Sequence, residues 1–268
     1  MTMKLNLKAL AVASAFVMAG SAQAATALTL NVGGSVTDQG WTVSGLTGSG
    51  NLVFSTALVG ALNSASAEVV AVAPATVVAP TNARGFYTAI SAAAPIQSLT
   101  GSFDGSTVSI SGVGTTGGAN ITTVADGFTN TGGSLSITNL RVDLTTSHVF
   151  ATLVGGNGVG TINNFDLWSF ASLTGATSFA AVTGPTTSVN TLTGLALSGA
   201  TAFSTFSQAL GLTQAGINAM SAITDYGSIS SSITVTAARA PSVPEPSTYL
   251  LMGLGLVGIM AASKRTKR

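Results

Sequence analysis

The chain has 268 residues and no cysteine, and only 6% of its residues are charged against 46% hydrophobic, which excludes disulfides, thiolate metal sites and cysteine nucleophiles. Its formal charge of +1 hides an uneven distribution: Lys4, Lys8, Lys264, Arg265, Lys267 and Arg268 all lie in the two ends. Between residues 25 and 240 only Arg84, Arg141 and Arg239 stand against six aspartates and Glu68, a net of −4, so there is no basic patch for nucleic acid.

The first segment has three parts in order: Lys4 and Lys8, the uncharged run Ala9 to Gly20, and the small-x-small sequence Ala22-Gln23-Ala24. That is the layout of a secretory signal peptide over residues 1–24, with Ala22 and Ala24 marking the cleavage site and Ala25 as the mature N-terminus. The apolar run is shorter than the ~20 residues needed to span a bilayer as a helix.

Residues 25–240 form the exported body. Disorder couples low hydrophobicity to high net charge, and this stretch has neither, so it is expected to fold. With so few charges, its solvated surface must be made of Ser, Thr, Asn and Gly. Short alternating runs, Leu28 to Val32, Trp41 to Val43 and Ile233 to Val235, are separated by Gly, Asn and Ser clusters. This pattern predicts antiparallel strands joined by turns. The expected class is mainly β, an antiparallel sandwich-like body with one or two short helices, flanked by the signal helix and a C-terminal apolar helix.

Along the body, Ala57 to Ala67 is a candidate helix, and Val69 to Pro80, with its prolines, reads as an edge strand or loop. Asp104-Gly105 predicts a type I′ hairpin turn. A two-residue loop there pairs Phe103 with Ser106, Gly101 with Val108 and Leu99 with Ile110. Leu99, Phe103, Val108 and Ile110 then share one face. Gly112-Val113-Gly114-Thr115-Thr116-Gly117 matches G-x-G-x-x-G formally, but no amphipathic helix follows to bind an anion, so a flexible loop is expected.

In the next segment Leu135 and Ile137 have one parity, and Leu140, Val142 and Leu144 the other. A bulge near Thr138-Asn139 brings both sets to the core. A turn at Thr145-Thr146 then sets Val142 opposite Val149 and Asp143 opposite His148. Gly155 to Gly160 is a glycine-rich loop before the strand Thr161 to Phe170. Phe203, Phe206 and Leu210 have helical spacing, with Ser198 as a cap and Gly211 as a stop, and Thr213 opens a second helix carrying Ile217 and Met220.

Nothing in the body points to catalysis. His148 is the single histidine, and no serine sits in G-x-S-x-G. A cross-strand charge pair of His148 with Asp143 is the expected reading. Asp104 and Asp126 precede glycine, where turn chemistry places them. No catalytic residue, metal ligand or cofactor is therefore assigned, and the body is expected to be non-enzymatic. A glycan-active hydrolase, needing two convergent carboxylates, is the enzyme alternative.

The last 28 residues mirror the first. Val243-Pro244-Glu245-Pro246 is followed by the apolar run Tyr249 to Ala262 and the basic end Lys264 to Arg268. As a helix, Ser247 to Ser263 would reach about 26 Å, marginal for a bilayer core of about 30 Å. The basic end is expected to stay cytoplasmic. This arrangement over residues 241–268 resembles the PEP-CTERM sorting signal. The resemblance implies recognition of Pro244, Glu245 and Pro246 by an exosortase, a membrane transpeptidase. It also implies transient residence in the inner membrane, then a cell-surface or extracellular location in exopolysaccharide-rich biofilm material, with exopolysaccharide as a further partner. A second resemblance, of Gly133 to Val154, Leu192 to Leu197 and the Phe203 helix, is to HtaA-like haem-binding β domains. It implies haem held by Tyr87 and backed by His148 as the alternative binding function.

Overall fold

The structure is a computed structural model and describes residues 24–240. Ala22 and the motif residues Pro244, Glu245 and Pro246 lie outside the described residues, as do the two terminal helices expected above. Strands β1 (Thr26–Asn31), β2 (Ser35–Asp38) and β3 (Trp41–Phe54) lead to helix α1 (Thr56–Ser64). Then come β4 (Glu68–Val72), β5 (Thr76–Val78), β6 (Ser91–Phe103), β7 (Thr107–Thr115), β8 (Gly118–Thr123) and β9 (Gly133–Asp143). They are followed by β10 (His148–Gly155), β11 (Gly160–Gly175), β12 (Ser178–Ala180) and β13 (Gly184–Leu197). Helices α2 (Gly199–Ala209) and α3 (Gln214–Ser221) precede the last strand, β14 (Gly227–Arg239).

The strands pair in the order β12-β7-β6-β3-β14-β13-β11-β10-β9-β8-β4. Strand β7 divides its outer edge. Its first half pairs with β12, and Gly112, Val113 and Gly114 pair with Asp143, Val142 and Arg141 of β9. That second contact closes a circuit through β7, β6, β3, β14, β13, β11, β10 and β9. Closure removes most of the unpaired edge that a long sheet would offer to other chains. The circuit is flattened, so that β3 and β6 face β8 and β9 across an apolar interior. The body is thus mainly antiparallel β and sandwich-like, as its alternating runs predict.

Two clusters fill the interior. One collects Leu28, Leu30, Leu46, Leu99, Phe103, Val108, Val113 and Ile233. The other collects Leu135, Leu153, Leu167, Trp168, Leu195, Phe206, Tyr226 and residues of all three helices. Alternation explains both: in β7, Val108 and Ile110 are buried while Ser109 between them is exposed. In β3, Val43 and Leu46 face one cluster and Leu52 the other.

The hairpin of β6 and β7 corrects one expectation. Its two-residue loop is Gly105-Ser106, not Asp104-Gly105: the Asp104 amide donates to the Thr107 carbonyl at 3.3 Å. Gly105 has φ +90° at the first central position, the type II′ arrangement. The displacement has a local cause. The Asp104 carboxylate accepts from the Ser106 and Thr107 amides at 2.9 and 2.7 Å and from Ser106 Oγ, which anchors Asp104 at the end of the strand. Phe103 therefore faces Val108, Gly101 faces Ile110, and, beyond a bulge, Leu99 faces Val113. Moving the loop by one residue shifts each partner by two, so the same side chains keep the same face. All four expected core residues are buried.

The glycines of Gly112 to Gly117 also depart from expectation. Gly112 to Thr115 end strand β7, and only Thr116 and Gly117 turn into β8. A Cβ on Gly112 would lie 2.7 Å from Thr100 Oγ1 and 3.0 Å from the Val142 carbonyl. The bare backbone is what lets β7 fit between β6 and β9 at the closing contact.

Strand β9 follows its sequence closely. Asn139 has φ +53°, and the register slips there, between the pairs Phe150–Arg141 and Thr152–Thr138. Val142 faces Val149 and Asp143 faces His148, as the turn at Thr145 requires. Three helices are described rather than one or two. Ser55 caps α1 through the Leu58 amide, Gly211 at φ +61° ends α2, and Thr213 caps α3. Among the described residues no helix is long and apolar enough to cross a membrane.

Candidate functional site

Three elements bring polar side chains together at one end of the body. His148 begins β10, Asp166 lies on the neighbouring β11, and Ser198 directly precedes α2. His148 Nδ1 lies 2.8 and 2.9 Å from the two Asp166 carboxylate oxygens and 3.3 Å from Ser198 Oγ. Ser198 occupies the cap position of α2, but its hydroxyl makes no capping bond and turns to the imidazole instead. The expected partner, Asp143, is opposite His148 in the backbone register only. Its carboxylate accepts from the Thr145 hydroxyl and the Thr145 and Thr146 amides, bonds that hold it below the usual carboxylate range. A nearby turn took the acid that the register offered.

Asp, His and Ser together suggest an acyl-transfer triad, and the geometry decides against that chemistry. In such a triad the acid orients one imidazole nitrogen and the nucleophile's proton passes to the other. Here carboxylate and hydroxyl meet the same nitrogen. The proton that Nδ1 donates to Asp166 blocks it as an acceptor for Ser198. The cluster can tie β10, β11 and the start of α2 together, and its physical content is that of a polar clasp. Neither Asp166 nor Ser198 carried a sequence signal for this role. Asp166 sits in an apolar run, and Ser198 reads as a cap.

Tyr87 belongs to a different neighbourhood. Its hydroxyl accepts from the Val69 amide at 3.2 Å, and the Asn63 side chain brackets its backbone at 2.8 and 2.9 Å. It lines a shallow recess with Asn63, Glu68 and Arg84, whereas His148 contacts Asp166, Ser198 and Phe150. The structure does not bring this pair together on one ligand. Among the described residues no group of three or more His, Asp or Glu side chains is placed to hold a metal ion.

A second polar feature is the outer face of β3, β14, β13 and β11, where hydroxyl and amide side chains surround the exposed Val189. Thr47, Thr234 and Thr187 form one row across three strands, and Ser49 and Ser232 a second. Asn51, Ser230, Thr191 and Thr174 form a third across four. Hydroxyls bond between strands, Thr187 to Thr234 at 2.8 Å and Ser172 to Thr193 at 2.7 Å. Rows on one face repeat about every 6.8 Å along the strands and strands lie about 4.8 Å apart. None of these positions is charged. Composition predicts a hydroxyl-rich surface, and pairing organises it into a lattice.

No curated protein and no solved structure matches the chain. Residues 242–265 match the PEP-CTERM protein-sorting motif, a span that contains Pro244, Glu245 and Pro246 and the apolar run behind them. By that tail the chain is an exosortase-directed exported protein, held in the membrane before processing and bound for the cell surface.

Proposed function

We propose that the body is a non-enzymatic component of the extracellular matrix, released by an exosortase-type transpeptidase at the Pro-Glu-Pro motif and in contact with neutral exopolysaccharide. The observation that carries this reading is the sorting tail. Pro244 and Pro246 favour extended backbone in and ahead of the motif, a shape that a processing enzyme can grip. The uncharged hydroxyl lattice of β3, β14, β13 and β11 supports the polymer contact, since exposed Ser, Thr and Asn exchange hydrogen bonds with sugar hydroxyls without a charge to desolvate. The geometry at His148 speaks only against an acyl-transfer triad at that cluster.

Replacing Pro244, Glu245 and Pro246 with alanine in a host that has an exosortase tests the processing step. Export is expected to continue while the protein stays in the inner membrane, and mass spectrometry should find its C-terminus at Arg268. Equal recovery of chains ending at Arg268 with and without the motif would overturn the reading. For the polymer contact, the exported protein should co-sediment with the host's exopolysaccharide to the same extent at low and high salt, because no ion pair is involved. Ser49→Glu with Ser232→Glu should release it. Binding that high salt abolishes would assign the contact to charge and away from this face.

A further inference from the structure

One row of the outer face crosses four strands without a break. Asn51 of β3 pairs with Ser230 of β14, Ser230 with Thr191 of β13, and Thr191 with Thr174 of β11. The row spans three strand spacings, about 14 Å. Hydroxyls elsewhere on the face are spent on one another, Thr187 on Thr234 and Ser172 on Thr193. Among the described residues the side chains of Asn51, Ser230 and Thr191 have no hydrogen-bond partner, and Thr174 reaches only the Thr191 carbonyl at 3.4 Å. Two exposed valines flank the row on opposite sides. Val53, 41% exposed, lies two residues after Asn51 on β3, and Val189, 58% exposed, lies two residues before Thr191 on β13 and opposite Ser232.

These features restrict what can lie along the row. Neither the row nor the positions beside it carry a charge, so an ionic partner finds no complement there. The interval between polar groups depends on direction: about 6.8 Å along a strand and about 4.8 Å across the strands. Each ring of an extended β-1,4-linked pyranose chain advances that chain by close to the shorter interval. Sheet twist turns successive strands about the direction that joins them. Over four strands a row therefore keeps its line while the strand directions fan out, and a straight chain follows the row and departs from any one strand. A pyranose with equatorial hydroxyls has a polar rim and apolar C–H faces. The rim meets hydroxyl and amide groups, which both donate and accept, and the faces cover the methyl groups of the flanking valines. An α-1,4-linked chain coils and does not hold its hydroxyls on one such line.

We infer that the row of Asn51, Ser230, Thr191 and Thr174 is a binding site for an extended, neutral, β-1,4-linked pyranose chain that lies across the strands, one ring to each strand. The inference rests on the polymer contact proposed above and gives it a linkage, a direction and a length. Its test titrates the full chain, held in polyoxyethylene detergent micelles, with the β-1,4-linked glucose oligomers from cellobiose to cellohexaose. Affinity should rise about 25-fold from the disaccharide to the tetrasaccharide, the worth of two further neutral hydrogen bonds, and level off beyond it. The α-1,4-linked oligomers of the same lengths should bind about tenfold more weakly. Asn51→Leu and Thr174→Val, at the two ends of the row, should each weaken tetrasaccharide binding about fivefold with the β-sheet circular dichroism kept. Thr187→Val and Thr193→Val, which lie along β13, should leave it unchanged. An affinity that does not grow with length, or equal binding of the α-linked series, would overturn the inference. So would a loss at Thr187 and Thr193 with none at Asn51 and Thr174, which would lay the polymer along a strand. If co-sedimentation with the host's exopolysaccharide persists beside such a result, this inference alone falls; if it is lost too, the polymer contact falls with it.

Discussion

Three aspartates spend their carboxylates on the chain's own turns. Asp104 binds the Ser106 amide and hydroxyl and the Thr107 amide. Asp126 accepts from the Thr129 hydroxyl and from the Phe128, Thr129 and Asn130 amides, and Asp143 from Thr145 and Thr146. These bonds hold all three below the ordinary carboxylate range, through the Ser106 amide, the Thr129 hydroxyl and the Thr145 hydroxyl respectively. A carboxyl depressed in the folded state stabilises fully above its unfolded value of about 3.9 and loses that contribution as pH falls through the folded value. The urea midpoint is therefore expected to be flat from pH 8 to 5 and to decline below about pH 4. Asp126→Ala should lower the midpoint at pH 7 and shrink that decline. A midpoint equally high at pH 3 and pH 7 would contradict the assignment. At the neighbouring turn, Gly105 has φ +90°, and a Cβ there would meet the Gln39 side chain. Gly105→Val should cost about 1–2 kcal/mol, read as a lower urea midpoint with unchanged slope.

Among the elements, the contact of β7 with β9 is the narrowest pairing in the closed circuit, three residue pairs long. Gly112→Val would force a branched side chain against Thr100 and the Val142 carbonyl, at about 1–3 kcal/mol for overpacking. Amide exchange should then rise at Gly112 to Gly114 and Arg141 to Asp143 before it rises elsewhere. Uniform protection across the sheet would show that this contact does not open first. Strand β9 and the β9–β10 hairpin were legible because two parity sets and one turn admit a single register. The β6–β7 hairpin was legible in its face and not in its loop, because the Asp104 side chain competes with the backbone for the turn. The strand character of Gly112 to Thr115 was hidden, since its pairing partners β6 and β9 are distant in sequence and its glycines carry no periodic signal. That the Trp168 indole nitrogen has no hydrogen-bond partner among the described residues depends on what surrounds it in space.

At the scale of the molecule, the tail was the most legible part, because its recognition needs only a linear motif. The His148 cluster was the least, assembled from β10, β11 and the approach to α2. The position of β14 adds a consequence of its own. The last strand of the body lies in the middle of the sheet, between β3 and β13, so neither neighbour has its full complement of hydrogen bonds until residue 239 has crossed the membrane. From the end of β14 at Arg239, the chain cannot put Pro244 more than about 18 Å away. Insertion of β14 and exposure of the cleavage motif thus happen within one short tether. Lengthening that tether with Gly-Ser residues after Ala240 should speed appearance of the processed C-terminus, and deleting Ala240 to Ser242 should slow it. A destabilised body such as Gly112→Val should be processed at a rate that tracks its folding. If processing takes place at the motif, an unfinished body would hold β14 loose beside it, and the yield of processed chain would then report on whether the sheet has been completed.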